Sequence, residues 1–520
     1  MKIRFLFLGL GIFIFSQSQA QTTSWNKGIS CIVYSHCTSC HNPNGLAPTS
    51  FTTYQQVYNS RFSIQRAVND RKMPPYMPNT DYQRYAHEKK LSADEINLIN
   101  QWVNEGAALG DTTGSLPIPI YNNTTQITQP DIQASIPNFT IPSISNDLYQ
   151  AFVITNPLVS NQYISEIEVI PGNRNIVHHV LVFQDTSRTP VNLDSAGAGP
   201  GYVSFGGIGS NTAQLVATWV PGSTSYKLPP GMSIRLNSGS RLILQIHYPI
   251  GSTGQTDSTQ VRIKLSPGAL RNVSVNPILN RANLTNGPLL IPANTVKTFH
   301  SQFTVPGNVT LISVGPHAHL FCKMFEVFGI TPQGDTIKII KIDDWDFHWQ
   351  GNHDFQRPIK IPAGTILHGY ATYDNTSNNP ENPNTPPQDV RWGEATTDEM
   401  MLIYFAYLPY QNGDENIIVD TSSHSNHYMD CIPDFSETPP TSIDNWNIYP
   451  NPTNGKLHIQ SPIGNQNFTA NVYDMQGRLM KYVINENQVD TGALPSGTYL
   501  LIIHTDSGII RKKFIKATAF

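Results

Sequence analysis

The sequence predicts a multidomain, mainly β protein: a small α-helical domain, two tandem antiparallel β-sandwich domains, and a small β-sandwich at the C-terminus. Three observations predict it. The 520 residues exceed what one hydrophobic core serves, and at about 150 residues per domain they imply roughly three or four units. Charged residues make up only 13% of the chain, against a usual share of about 25%, while Pro, Gly, Asn, Thr and Ser are abundant, which suits exported β-sandwich material. Beyond about residue 130, short apolar runs such as Ala151 to Thr155, Val177 to Phe183, Leu242 to Tyr248 and Val261 to Leu265 are separated by turn residues, with no long helical pattern between them. The 33 Lys+Arg against 37 Asp+Glu leave no charge excess that would point to nucleic acid or an anionic membrane surface.

Taken in order, residues 1–20 place Lys2 and Arg4 before the uncharged run Phe5 to Phe15 and then Ser18-Gln19-Ala20. That is the order of a secretory signal, with cleavage expected after Ala20. The run is short of the ~20 residues of a membrane span. No transmembrane segment is therefore expected after signal removal. The mature chain is expected to be secreted or held at the cell surface, exported through a periplasm, where disulfides persist.

Residues 21–112 hold Cys37-Thr38-Ser39-Cys40-His41. Two thiols spaced this way can bond haem vinyl groups while the next residue offers an imidazole to iron. A redox dithiol would sit on a βαβ pattern and a zinc site would want a second Cys or Cys/His pair, and neither is visible. The segment resembles a small c-type cytochrome. That resemblance implies one covalently bound haem on Cys37, Cys40 and His41, with Met73 of Arg71-Lys72-Met73-Pro74-Pro75 as second axial ligand and Met77 as the alternative. Ser92-Ala93-Asp94-Glu95 is a capping box ahead of an apolar face of Ile96, Ile99 and Val103, so a helix is expected there, stopped by Gly106 and Gly110. Cys31 is either a free buried thiol or paired elsewhere. Residues 113–130 read as a linker.

The two sandwiches are expected at 131–275 and 276–435, with the break in the irregular stretch Gly268 to Pro292. In the first, His178 and His179 lie inside the apolar run Asn175 to Phe183. Neighbours on a strand point to opposite faces, so both reach one ion only at a strand end or a bulge. Leu244-Gln245-Ile246-His247-Tyr248 adds a third imidazole. In the second sandwich, Gly315-Pro316-His317-Ala318-His319 carries two histidines one residue apart, which on a strand project to one side. Thr397-Asp398-Glu399-Met400 adds a thioether, which tilts an imidazole site toward copper that cycles through Cu(I). Asp398 and Glu399, just before Met400, read foremost as exposed loop carboxylates, with hydrogen-bonding support of the metal-binding side chains as the alternative.

His-His, Gln-Ile-His-Tyr, His-x-His and Thr-Asp-Glu-Met, in that order over about residues 136–432, resemble the copper type II, ascorbate-dependent monooxygenases, the family of the peptidylglycine hydroxylating and dopamine β-monooxygenases. The resemblance implies two copper ions, one on His178, His179 and His247 for electron transfer and one on His317, His319 and Met400 for oxygen. It also implies O2, a small organic or peptide substrate hydroxylated at a C–H bond, and a reductant, ascorbate or another, acting as external electron donor. Peptide-amidating members carry an Arg two positions before His-x-His, where this chain has Gly315. Tyr404 matches a substrate-contacting tyrosine of that branch. His348, His353 and His368 fall outside the motifs. Cys322 and Cys431 are expected to pair, with two free buried thiols as the alternative.

Residues 436–444 read as a second linker. In 445–520, Trp446-Asn-Ile-Tyr-Pro-Asn-Pro-Thr-Asn-Gly455, Tyr473-Asp-Met-Gln-Gly-Arg478 and Leu494-Pro-Ser-Gly-Thr-Tyr499 resemble the C-terminal sorting domain of the type IX secretion system, which implies that machinery as a partner. Two functions from different classes follow: a secreted monooxygenase fed through its own haem, and an extracellular haem and copper carrier without turnover.

Overall fold

The computed structural model describes residues 23–43, 45, 47–112, 115–119, 125–419, 446–461, 468–474, 479–484, 487–505 and 508–517. The expected signal segment 1–20, Cys431 and part of the Tyr473–Arg478 motif lie outside them. The chain is mainly β with several sheets and few helices. It divides into two compact units, Met1–Ile432 and Pro433–Phe520.

The first unit opens with three helices: α1 (Ile29–His36), α2 (Tyr54–Asn69) and α3 (Ala93–Asn104). Capping boxes start two of them, Thr53 with Gln56 on α2 and Ser92 with Glu95 on α3, each satisfying two N–H groups that a helix start leaves without partners. Gly106, just beyond α3, takes φ 95°, a left-handed conformation that glycine adopts without penalty. Trp25, Tyr34, Trp102, Ile99 and Val57 are buried together between the helices.

Two sheets follow as a sandwich, antiparallel except for the parallel pairing of Arg271–Asn272 with Met232–Leu236. One has the order Ile132–Ser135, Gln260–Leu265, Gln162–Ile170, Met232–Leu236, Arg271–Asn272, with Tyr226–Lys227 also on Gln162–Ile170. The other has the order Tyr202–Val203, Leu148–Val153, Arg241–Tyr248, His179–Asp185, Gln214–Trp219. A short helix, α4 (Thr189–Ala196), with Pro at its start, interrupts the all-β texture expected here.

A second sandwich pairs the sheet Ser274–Asn280, Leu402–Pro409, Val309–His317, His353–Ile361 with the sheet Val296–Thr304, Ile366–Asp374, Cys322–Ile330, Thr336–Ile342. Its first strand, Ser274–Asn280, occupies what the sequence suggests is irregular chain. Asn276 and Pro277 hide the strand signal, and the pairing with Leu402–Pro409 tolerates Pro277 through a register shift on an edge strand. Ile312, Ala406 and Leu408 of this sandwich are buried in the core of the first, so an apolar contact joins the two.

Residues 76–90, between α2 and α3, form a strap across the second sandwich. Pro78 bridges to Ile342 on one sheet edge and Tyr85 to Phe355 on the edge of the other. Asn79 N–H donates to Lys341 O at 2.8 Å, Tyr85 Oη to Ile339 O at 2.7 Å, and Ala86 N–H to Asp354 O at 2.7 Å. Tyr85 is 1% exposed and belongs to the sandwich core. Part of each edge strand thus spends free backbone groups on the strap instead of on solvent or another chain.

The expected Cys322 disulfide is not formed: Cys322 is a free, buried thiol, donating to Met324 O at 3.7 Å. Its place at the start of a core strand makes it a small apolar residue, the usual role of a buried free cysteine. Cys31 is in a disulfide.

The second unit is a small β-sandwich of its own. Asn447–Tyr449, Lys456–Gln460 and Gln488–Asp490 form one sheet, and Leu479–Ile484, Phe468–Asp474, Gly497–Thr505 and Gly508–Lys516 the other. Its core gathers Trp446, Leu457, Val472, Leu501 and Phe514. Among the described residues, no helix is long and apolar enough to cross a membrane.

Candidate metal centres

His179 opens its strand and His178 immediately precedes it, so the two imidazoles meet at a strand end. Register completes the set. His247, on the central strand, pairs directly with His179, and His178 N–H donates to His247 O at 2.9 Å. One ligating atom from each of the three rings lies within 4.8 Å of the others. His178 Nδ1 and His179 Nδ1 are 3.3 Å apart. His247 is 2% exposed, and both its ring nitrogens are buried without an aligned hydrogen bond. Its Nε2 has only a long contact, 3.4 Å, to Asp147 Oδ2. Buried ring nitrogens left so are costly unless something else occupies them. A metal ion is such an occupant, and the set fits one.

The second set sits just past the end of strand Val309–His317. The one-residue spacing predicts a pair on one strand face. Instead the strand stops at His317 and the chain turns, leaving the His317 and His319 rings 5.3 Å apart at 87°. His317 Nδ1 is bonded to Gln350 Oε1 at 2.6 Å and His319 Nδ1 lies 3.2 Å from Asp398 O. Both acceptors hold the proton on Nδ1 and leave Nε2 for a metal. Met400 is buried and absent from the sandwich core, whereas its neighbour Met401 lies in that core.

Glu399 organises this set, and its burial corrects the reading of an exposed loop acid. It is fully buried. Oε1 accepts His319 N–H at 2.6 Å and Met400 N–H at 2.7 Å, and Oε2 accepts Phe321 N–H at 3.1 Å. One side chain therefore ties the backbone of a histidine to that of the methionine. Burial pushes its carboxyl up to about 8 against the pull of those N–H groups.

Burial also keeps His178, His179, His317 and His319 neutral. It lowers His178 to about 3, with the neighbouring histidines adding to the effect, and lowers His319 to about 3 and His317 to about 4. His179 is lowered well below its ordinary value for the same reason. Neutral imidazole is the ligating form, so no proton need leave these rings at neutral pH.

The two sets are brought close together, a proximity that neither motif reveals. The His179 and His317 rings are 6.4 Å apart. Phe347 stacks on His178 at 5.0 Å and meets His319 edge-on at 5.9 Å. Asn352 Nδ2 donates across the sandwiches to Thr218 Oγ1 at 2.6 Å. A Cβ at Gly315 would lie 2.2 Å from Asn352 Oδ1, so Asn352 fills the place where an Arg would project. Tyr404 pairs with Gly315 across the sheet.

His348 is exposed beside Asp346, and His368 contacts His300 at 2.9 Å. His353 is wedged between Tyr76 and Tyr85 of the strap. In the helical unit, Cys37 and Cys40 are free thiols and His41 Nδ1 is bonded to Thr49 O at 2.7 Å. Met73 is 38% exposed. Met77 Sδ instead accepts Asp346 N–H at 3.1 Å.

Over 302 residues the chain is 25% identical to a human (Homo sapiens) DBH-like monooxygenase protein 2, covering 53% of this chain and 56% of that protein. It is 23% identical over 313 residues to the Mus musculus DBH-like monooxygenase protein 2, covering 53% and 45%, and 24% identical over 262 residues to the mouse DBH-like monooxygenase protein 1, covering 46% and 40%. The chain spans about half the length of the curated relatives it matches. Among solved structures, the major capsid protein P2 from Bacteriophage PM2 aligns at a TM-score of 0.23 and 9% identity, covering 54% of this chain and 99% of that one, too low a score to speak for the fold. Residues 447–517 match the secretion system C-terminal sorting domain, which marks a secreted or cell-surface protein. The chain is therefore similar, over about half its length, to the DBH-like monooxygenases, and its residues 447–517 form a type IX sorting domain.

Proposed function

We propose that this protein is a secreted copper-dependent monooxygenase that hydroxylates a C–H bond of an organic substrate with O2. The observation that carries this reading is the pairing of two unlike histidine sets at one junction. One is a closed group of three imidazoles and the other is two imidazoles beside a buried methionine, with Nδ1 of each of those two imidazoles already committed. Copper held there would supply one-electron redox chemistry and oxygen activation. His178, His179 and His247 would hold one ion, and His317, His319 and Met400 the other. The protein's own work is positional. Gln350 and the Asp398 carbonyl fix tautomers, Glu399 sets the spacing of His319 and Met400, Tyr149 stacks on His247 at 4.3 Å, and Phe347 covers His178. With Asn352 in place of a carboxylate-gripping Arg, the substrate need carry no carboxylate.

The Cys37-x-x-Cys40-His41 unit fits a covalent haem. The Thr49 carbonyl accepts a hydrogen bond from His41 Nδ1–H, which keeps that proton on Nδ1 and would leave Nε2 for iron. Burial pushes the Cys37 thiol up to about 12, which is unlike the thiolate that a redox or zinc site needs. Met77 is engaged by Asp346, which supports Met73 as the second axial ligand. The reduced protein should therefore show a low-spin haem spectrum that Met73→Ala alters and Met77→Ala does not. A haem held by Cys37, Cys40, His41 and Met73 would supply one-electron transfer from an outside donor to the copper-holding histidines; in this reading the signal segment 1–20 is removed during periplasmic export, and type IX machinery delivers the chain.

The test is oxygen uptake by reduced, copper-loaded protein. Met400→Ala should abolish uptake and lower Cu(I) affinity at the second set, while the three-histidine set still fills. Met401→Ala should spare both. Equal loss from the two variants removes Met400 from the site, and Cu(I) binding with no uptake from the wild type leaves an electron carrier.

A further inference from the structure

The loop between Trp392 and Met400 touches both histidine sets. It is braced internally: Gly393 N–H donates to Glu399 O at 3.2 Å, Glu399 N–H to Arg391 O at 3.0 Å, and Ala395 N–H to Asp398 Oδ2 at 3.2 Å. A Cβ at Gly393 would lie 2.1 Å from Asp398 Oδ2, so this close turn requires glycine. A loop braced in this way moves as a piece.

One side of the loop is pinned to the first sandwich. Thr396 Oγ1 donates to Asp147 Oδ2, and the Glu394 carbonyl accepts Tyr149 Oη–H at 3.3 Å. Both partners lie against one ligand of the first set: Asp147 Oδ2 is 3.4 Å from His247 Nε2, and the Tyr149 ring is stacked on His247. Asp147 is held from behind by Ile250 N–H at 3.2 Å. The other side of the loop reaches the second set through the Asp398 carbonyl on His319 Nδ1 and the Glu399 carboxylate on His319 N–H and Met400 N–H.

We propose that Asp147 and Thr396 are positioning residues that couple the two metal sets: through the braced 393–399 loop, occupancy of the His178, His179 and His247 set raises the affinity of the His317, His319 and Met400 set, and the reverse. This rests on the copper reading above. An ion on His247 fixes that ring, and with it the carboxylate that holds Thr396. The loop then presents Met400 and the Asp398 carbonyl in the geometry the second set needs. Coupling of this kind is reciprocal by linkage.

The experiment titrates the folded full-length protein with Cu(I) against a chromophoric chelator. Second-set affinity is compared between the chain with His178 and His179 intact and the His178→Ala/His179→Ala chain. We expect about a fivefold difference. First-set affinity, compared between wild type and Met400→Ala, should change by the same factor. Thr396→Val and, from the opposite side, Asp147→Ala should each bring the factor to one while both sets still bind. Thr396→Ser, which keeps the hydroxyl, should restore it. A factor of one in the wild type, or one unchanged by Thr396→Val and Asp147→Ala, overturns the coupling and leaves the copper reading standing. Absence of Cu(I) binding at either set overturns both.

Discussion

Glu399→Ala should empty the second metal set and destabilise its sandwich, while the first set remains fillable. Three backbone N–H groups, of His319, Phe321 and Met400, converge on this one carboxylate in the interior. Removing it leaves three buried donors without partners, each costing about 1–3 kcal/mol, so a loss of roughly 3 kcal/mol or more is expected in denaturant melts. Cu(I) titration should show binding at His178, His179 and His247 only. Glu399→Gln should be intermediate, because its carbonyl keeps the His319 and Met400 donors while its amide turns an N–H toward Phe321 N–H. If Glu399→Ala binds two ions with wild-type affinity, the carboxylate does not position the set.

The second large effect lies far from either set. Tyr85→Ala should cost about 3–5 kcal/mol, the range for truncating a fully buried aromatic side chain, although Tyr85 belongs to a segment between two helices of another part of the chain. Its ring packs against Phe355 and His353 and its hydroxyl reaches Ile339 O. Tyr85→Phe, which loses only that hydrogen bond, should cost about 1 kcal/mol. Chemical denaturation gives both values, and limited proteolysis should show new cleavage within residues 76–90 in the alanine variant alone. A cost near 1 kcal/mol for Tyr85→Ala would mean that the strap lies on the sandwich without completing it.

Much of the local structure was legible because its cause is local. The Ser92 to Glu95 capping box and the apolar periodicity behind it locate α3. The rule that adjacent strand residues face apart lets His178 and His179 meet only at a strand end or a bulge, and His179 does open its strand. What stayed hidden depends on partners distant in sequence. Glu399 sits in a polar loop and reads as solvent-exposed until the three N–H groups near residue 320 are seen to surround it. Cys322 and Cys431 invite pairing as the remaining cysteines of an exported region, but the strand of Cys322 turns it into the core as a free thiol. The 76–90 stretch has neither period 2 nor period 3.6, because it is ordered by sheet edges far downstream and not by a repeat of its own. For the same reason the two histidine motifs, each readable alone, say nothing of the 6.4 Å between the His179 and His317 rings.

The strap also sets an order of events during synthesis and export. Tyr85 and Ile339 are separated by 254 positions, so the helical unit's loop stays without its partners until most of the chain has emerged. Contacts of such long sequence separation form late and slow the approach to the native state. Meanwhile Thr336–Ile342 and His353–Ile361 present open edges able to pair with another copy. An N-terminally truncated chain should therefore self-associate as it folds, and supplying residues 23–110 as a separate polypeptide should suppress that association. The helical unit would then act as an intramolecular chaperone for the sandwich it covers.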